Sequence, residues 1–211
     1  MDITGLSLAL GSSFTTGLNL YLTLFSLGLM HRFDLFTLPS NMQILANPWA
    51  LVCIGVLLLA DFIADKFPVV DSIWDGIQGA IRIPAGVGIA AASFTDVPTH
   101  VLGLAGLAGG ITSSTSFLAN ASTRAVANTS PEPLSNSLLS LGKDGLGLSV
   151  LWLVANHPYV ALASVLVLLA ISALAIYYLF RFLTQLFRRA VAAAKNPRSL
   201  AEKLPWRRKH A

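Results

Sequence analysis

The chain has 211 residues, of which 55% are hydrophobic and only 11% are charged, and its mean hydropathy is +0.69. Soluble domains carry about 25% charged residues, and a soluble fold of this size leaves roughly a third of its extended-chain surface in water. The composition therefore excludes an ordinary soluble domain. It predicts an all-α polytopic membrane protein whose main partner is the lipid bilayer.

The positive charge of the chain is concentrated at its C-terminal end. More than half of the lysines and arginines fall between Arg188 and Lys209. This position is typical of a tail that contacts anionic lipid headgroups rather than of a nucleic-acid interface. We therefore predict a helical membrane domain over residues 1–190 and a basic cytoplasmic tail over residues 191–211.

About six hydrophobic segments follow one another along the chain. The third is short and begins with a proline, so a half-helix or re-entrant element is one interpretation of it. The fifth contains a Lys-Asp pair between glycines in its first half, which makes that half a poor lipid-facing helix. The segments cover approximately residues 6–30, 49–64, 83–95, 101–122, 137–155 and 159–182.

The positions of lysine and arginine predict the orientation of these segments. If six crossings begin inside, Arg32 alone falls on the outer side and the remaining basic residues lie on or near the cytoplasmic side. Because cytoplasmic loops are enriched in Lys and Arg, this arrangement places both the N-terminus and the C-terminus in the cytoplasm.

A shift of 101 residues aligns two hydroxyl-rich stretches. Residues 12–19 then match residues 113–120, so that Ser13 falls on Ser114 and Asn19 on Asn120. Two halves of three segments each, 1–98 and 99–190, would form an inverted repeat, an architecture of known transporters. The four named side chains would then bind a substrate along a shared polar path. Small polar residues at close helix contacts are the alternative explanation of the match.

Charged side chains near the second segment are the other candidates. Asp61 and Asp65 are four residues apart and share one helix face, and an ionisable residue within a span indicates a functional site. Asp61 is a candidate for proton or cation binding, or for pairing with Arg82 or Lys66. Asp65, Lys66, Arg82 and Glu132 are candidates for gating or structural charges, with solvated interfacial positions as the alternative.

Three motifs resemble those of a bacterial multi-pass membrane family known only as domain of unknown function number forty-one twenty-six. They occupy residues 61–75, 81–86 and 128–136. The resemblance implies a bacterial inner-membrane protein and brings no activity with it. The chain departs from the expected pattern at Lys143, where the resemblance implies an acidic residue.

Three functions remain open at this point. The first is a small secondary transporter or channel-like permease, and the second is a non-transporting scaffold or accessory subunit. The third is a membrane enzyme that acts on a lipid headgroup. The sequence contains no catalytic motif and no metal-ligand spacing, so we expect no cofactor and no metal. A homo-oligomer is plausible, because six short helices leave little room for an enclosed path.

Overall fold

A computed structural model of the chain describes residues 2–64, 68–127 and 133–195. Over these ranges the fold is all-α, as predicted, with seven α-helices, one short 3₁₀ helix and no β-strand. The α-helices are α1 (Ile3–Leu18), α2 (Leu20–Arg32), α3 (Pro48–Ala64), α4 (Pro68–Ala92), α5 (Thr99–Ala127), α6 (Pro133–Asn156) and α7 (Pro158–Lys195). The 3₁₀ helix, Ser40–Ala46, lies between α2 and α3.

The apolar surface of the bundle indicates association with a membrane. Among the described residues, Thr99–Arg124 of α5 and Pro158–Gln185 of α7 are each long and apolar enough to cross a bilayer. A third crossing is added if the 3₁₀ helix and α3, which meet at a bend of 69°, form one broken span. Large apolar side chains along α7 are exposed, for example Leu166 and Ile171. Exposed apolar side chains of this kind are stable when lipid chains surround them.

Helix α1 lies at the centre of the bundle and runs antiparallel to α6. Most of its residues are buried, including nearly all of its serines and threonines. Gly11 packs on α6, where an added Cβ would come within 2.5 Å of Val154 Cγ2. Further along α1, Asn19 Nδ2 donates a hydrogen bond to Asp144 Oδ1 over 3.2 Å. Residue numbers thus rise along α1 as they fall along α6, so the two helices are antiparallel.

Helix α2 turns back beside α1 instead of continuing in the same direction. Leu27 of α2 belongs to the same buried cluster as Leu8 of α1. Near the end of α2, Met30 lines a cavity together with Trp152, which lies close to the end of α6. Helices α1 and α2 therefore form a hairpin with its tip at Asn19. The prediction of one continuous first segment is wrong, because Asn19 ends one helix and starts the next.

The hairpin determines where the two ends of the chain lie. Asp2 lines a cavity with Val101, at the start of α5, whereas Tyr178 of α7 lines a cavity with Thr123, near the end of α5. We call the two ends of the bundle the Asp2 end and the Lys195 end. Asp2 and Lys195 therefore lie at opposite ends of the bundle, and the predicted cytoplasmic position of both termini stays a prediction, because residues 196–211 lie outside the described residues.

Helices α1 and α5 are parallel neighbours. Leu6 lines a cavity with Val101, and Gly17 packs on Ser113, so residue numbers rise together along both helices. The two aligned polar stretches of the sequence therefore point in the same direction. An inverted repeat in that register requires opposite directions, so the described residues do not form it. The physical reason is again the hairpin, which replaces the first predicted crossing.

Helix α4 is continuous through Pro84, although one interpretation of the sequence was a half-helix or re-entrant element that begins there. Proline removes one backbone hydrogen bond and usually kinks a helix. Here the helix is supported on two sides by α1 and α5: Ser13 Oγ donates to Gly86 O over 3.0 Å, and Ser113 Oγ donates to Arg82 O over 3.2 Å. These contacts hold α4 against α1 and α5 on either side of the proline.

Candidate functional site: the polar layer at the hairpin tip

Asn19 forms the tip of the hairpin and caps both of its helices. Its backbone is extended, with φ −152° and ψ 106°, and its N–H donates to Thr15 O at the end of α1. Its side-chain Oδ1 accepts from the backbone N–H of Leu22 over 3.1 Å, which is the N-cap bond that asparagine favours. The side-chain amide is thereby oriented so that Nδ2 reaches Asp144. One residue thus breaks the helix and connects the break to α6.

A second polar group joins α3 to α4 inside the bundle. Gln78 Nε2 donates to Asp61 Oδ1 over 2.5 Å, and Arg82 Nη2 donates to Gln78 Oε1. The same guanidinium nitrogen lies 3.9 Å from Asp61 Oδ1. Gln78 and Arg82 are one helical turn apart on one face of α4, so both can reach the carboxylate of α3. All three side chains are at most 2% exposed.

This buried ion pair lies at about the same level as the hairpin tip. The carbonyl of Arg82 accepts from Ser113 Oγ, and the carbonyl of Ser113 packs directly on Gly17, two residues before Asn19. The guanidinium also lies over the ring of Phe117, 5.9 Å from its centroid. An aromatic face is a favourable neighbour for a desolvated cation. Helix α5 therefore connects the ion pair to the tip.

A cavity of about 360 Å³ opens beside the tip, between α5 and α6. We call it the polar cavity, because Asn120, Thr123, Arg124 and Lys143 contribute to its lining. The Lys143 side chain is only 8% exposed. Among the described residues, Asn120 Nδ2 is a buried donor with no hydrogen-bond partner. A buried amide donor without a partner costs free energy, and such a group is a candidate for contact with water or a ligand.

We call the whole set of inward-facing polar side chains at this level the polar layer. It lies near the middle of α4 and α6, because Arg82 and Asp144 are each at least ten residues from either end of their helices. At 1.5 Å per residue this places the layer roughly 15 Å from both helix ends. The layer consists of Asn19, Asp61, Gln78, Arg82, Asn120, Lys143 and Asp144.

The sequence-predicted site residues are distributed as follows. Asn19 and Asn120 were expected to line a shared polar path; both lie against α6, Asn19 at Asp144 and Asn120 in the cavity with Lys143. Asp61 lies together with Arg82, one of the two partners that were considered for it. Asp65, Lys66 and Glu132 lie outside the described residues.

Ser13 and Ser114 form contacts of a different kind. Ser13 Oγ donates to the carbonyl of Gly86, and Ser114 Oγ donates to Gly110 O of its own helix over 2.6 Å. Both hydroxyls are therefore committed to backbone carbonyls. These geometries favour the alternative that the hydroxyl-rich stretches serve helix packing.

Three members of the polar layer were not among the predicted site residues, namely Gln78, Lys143 and Asp144. The sequence did contain a signal for Asp144, because a Lys-Asp pair within an apolar segment must turn away from lipid. Gln78 carried no such signal, because its side chain is uncharged. Among the described residues, no group of three or more His, Cys, Asp or Glu side chains is arranged to hold a metal ion.

Comparison with known proteins gives a family without an activity. The family described as "Domain of unknown function (DUF4126)" matches residues 6–178, and the chain belongs to it. This confirms the family that the three sequence motifs indicated. No curated protein and no solved structure matches the chain. The description of the family names no substrate, so the function has to be inferred from the polar layer.

Proposed function

We propose that the chain is a small permease, a secondary transporter or channel, of a bacterial inner membrane, with its solute site at the tip of the α1–α2 hairpin. The observation that carries this proposal is the break at Asn19, which opens two helix ends beside buried charges near the middle of α4 and α6. Discontinuous helices that end near the bilayer midplane form the substrate sites of many secondary transporters. Irregular backbone at such depth is tolerated where it lines a cavity or is buried in protein.

The proposed topology has five crossing helices, α3 to α7, and a re-entrant hairpin. The charge distribution supports a cytoplasmic Lys195 end, because Arg124, Arg181 and Arg188 lie towards it, whereas Arg32 lies towards the Asp2 end. The N-terminus is then outside and the C-terminal tail inside. The tail contributes further basic residues for contact with anionic lipid headgroups.

The route proposed for the solute begins at the Lys195 end. The polar cavity leads from the region of Arg124 to Leu18, next to the hairpin tip. Beyond the tip, the packing of α1 against α4, α5 and α6 closes the direct way to the Asp2 end. Movement of the hairpin relative to α6 would change the Asn19–Asp144 contact, and we propose that this contact opens and closes during transport.

The proposal is tested by flux measurements in proteoliposomes. The panel of solutes includes inorganic cations, inorganic anions and fluorescent phospholipids, because the substrate class is open at this stage. We expect a flux above that of empty vesicles that is lost in Asn19→Ala and Asp61→Asn. A useful matched control is Asn41→Ala, since Asn41 is an exposed asparagine near the Asp2 end and outside the polar layer. Equal flux in protein-containing and empty vesicles over the whole panel would refute the permease.

A scaffold without transport is the second candidate, and one observation favours it. The hydroxyls of Ser12, Thr15 and Ser116 all donate to carbonyls of their own helices, as expected for residues selected for close packing. This candidate predicts a co-purifying membrane protein that is lost when residues 196–211 are removed. It also predicts that Asn19→Ala leaves the amount of that partner unchanged.

A further inference from the structure

A second cavity adjoins the polar cavity, and its lining is almost entirely apolar. It has a volume of about 560 Å³ and lies between α5, α6 and α7. We call it the apolar groove; its lining includes Ala175, Tyr178, Leu179 and Phe182 of α7. Both volumes are within the range of about 300–1,000 Å³ that is typical of ligand sites.

The two cavities share part of their lining. Thr123 of α5 and Leu139 of α6 line both of them. The two cavities are therefore direct neighbours, and a molecule bound in both of them would pass beside Thr123 and Leu139. Its two parts would meet different chemistry, because Arg124 and Lys143 line only the polar cavity and the aromatic residues of α7 line only the groove.

The polar cavity is suited to an anionic group. Lys143 contributes a largely buried ammonium group to its lining, and an anion in the cavity would be attracted to this charge. Arg124 adds a guanidinium whose planar donors match the oxygens of a phosphate. Asn120 Nδ2 supplies the independent observation, since this buried donor has no partner among the described residues. A phosphate oxygen would satisfy it.

The apolar groove is suited to a hydrocarbon chain. It lies against α7, one of the two helices that are long and apolar enough to cross a membrane. Tyr178 and Phe182 at its edge are 63% and 55% exposed, so the groove opens to the surroundings of α7. Within a bilayer those surroundings are lipid chains, which enter sideways without crossing water.

We infer that these two cavities bind one anionic membrane lipid, with its phosphate headgroup in the polar cavity and a hydrocarbon chain in the apolar groove. This inference rests on the proposed function, because it names an anionic lipid as the substrate class of the site at the hairpin tip. Binding and transport are separable, however, and the experiment measures binding alone.

The test uses the full chain purified in a neutral detergent and examined by native mass spectrometry. The probes are phosphatidylglycerol, phosphatidylcholine of the same acyl chains, and inorganic phosphate. We expect phosphatidylglycerol to bind roughly tenfold more tightly than phosphatidylcholine, because both lipids carry a phosphodiester but only phosphatidylcholine adds a quaternary ammonium, which Lys143 and Arg124 repel. Lys143→Gln and Arg124→Gln should each remove most of this preference. Inorganic phosphate should compete weakly, because it gains nothing from the groove.

Two matched controls separate the site from the general surface. Arg181→Gln removes a positive charge from an exposed position of α7 outside both cavities, and it should leave the preference unchanged. Ala175→Trp fills the apolar groove and should weaken phosphatidylglycerol binding, whereas Ala173→Trp adds the same bulk outside the groove and should not.

Three results would overturn the inference. They are equal binding of the two lipids, an equal loss in Arg181→Gln, and full competition by inorganic phosphate, which would indicate a site for free phosphate. The permease and the lipid site also fail differently. Selective lipid binding without flux would support the lipid site and refute transport. Flux without lipid selectivity would support transport and refute the lipid site.

Discussion

The contact between α1 and α5 can be tested by one methyl group. Gly17 lies two residues before the hairpin tip, and an added Cβ would overlap both the Ser116 side-chain oxygen and the Ser113 carbonyl oxygen. The same Cβ would lie 3.0 Å from the backbone nitrogen of Phe117. Two of these three atoms belong to the backbone of α5, so rotation of a side chain relieves only part of the overlap. Gly17→Ala should therefore push the two helices apart.

The expected cost follows from comparison with a glycine in open space. Gly103 lies in the first turns of α5, and nothing lies within 4 Å of an added Cβ there. Gly103→Ala should raise the free energy of unfolding by about 0.5–1 kcal/mol, since alanine favours the helix more than glycine does. Gly17→Ala has at most the same gain and adds overpacking of about 1–3 kcal/mol. The difference between the two variants isolates the overlap and should be about 1–3 kcal/mol.

The assay is reversible unfolding in mixed micelles of neutral detergent and sodium dodecyl sulfate, followed by tryptophan fluorescence. Gly17→Ala should unfold at a lower mole fraction of dodecyl sulfate than the wild type, and Gly103→Ala at an equal or higher one. Adding Ser116→Ala to Gly17→Ala should restore only part of the loss, because the Ser113 carbonyl stays in place. Equal stability of both single variants, or full rescue by Ser116→Ala, would refute close parallel packing of α1 on α5.

Three further predictions concern the tip, the ion pair and the topology. Asn19→Ala should lower the free energy of unfolding by about 0.5–2 kcal/mol through loss of the cap alone. Asn120→Ala should lower it less, because Asn120 Nδ2 has no partner among the described residues. Chemical unfolding of both variants measures this difference. Arg82→Met should cost about 3–5 kcal/mol by removing the cation beside a buried carboxylate, and adding Asp61→Asn should recover part of this in the same assay. Alkaline phosphatase fused at the N-terminus should be active and a fluorescent protein fused at the C-terminus should fluoresce; reporters that both indicate one side would contradict the hairpin.

The hydrophobic helices after the first segment were largely predictable from the sequence. Their apolar runs are bounded by prolines that begin helices, as Pro48, Pro133 and Pro158 do. The inward direction of Lys143 followed from the cost of placing a charge in lipid. These are local properties, since run length, helix breakers and charge each act within a few residues.

The hairpin was not predictable from hydropathy, and the failed repeat has the same cause. An apolar run of about 25 residues fits one crossing as well as two short helices that turn back, because both bury the same side chains. Which of these two structures forms depends on Asn19, whose cap bond is local but whose partner Asp144 is 125 residues away. Of the serines that suggested a repeat, Ser13 and Ser113 both contact Gly86 of α4, and any pair of crowded helices can require such small residues.

The helix break and the buried charges stabilise each other. Interrupting a helix leaves up to four amides and four carbonyls without helical partners, and each is costly in hydrocarbon. A fold that only had to bury α1 could have used a continuous helix, as α5 does over Thr99–Ala127. Instead the break occurs where Asp144 receives the Asn19 amide and where the Asp61–Arg82 pair lies one packed helix away. Charges are costly in lipid unless they are paired or hydrated, and open helix ends supply partners of both signs. Each feature thus lowers the cost of the other, and together they form a layer of paired polar groups inside an otherwise apolar bundle.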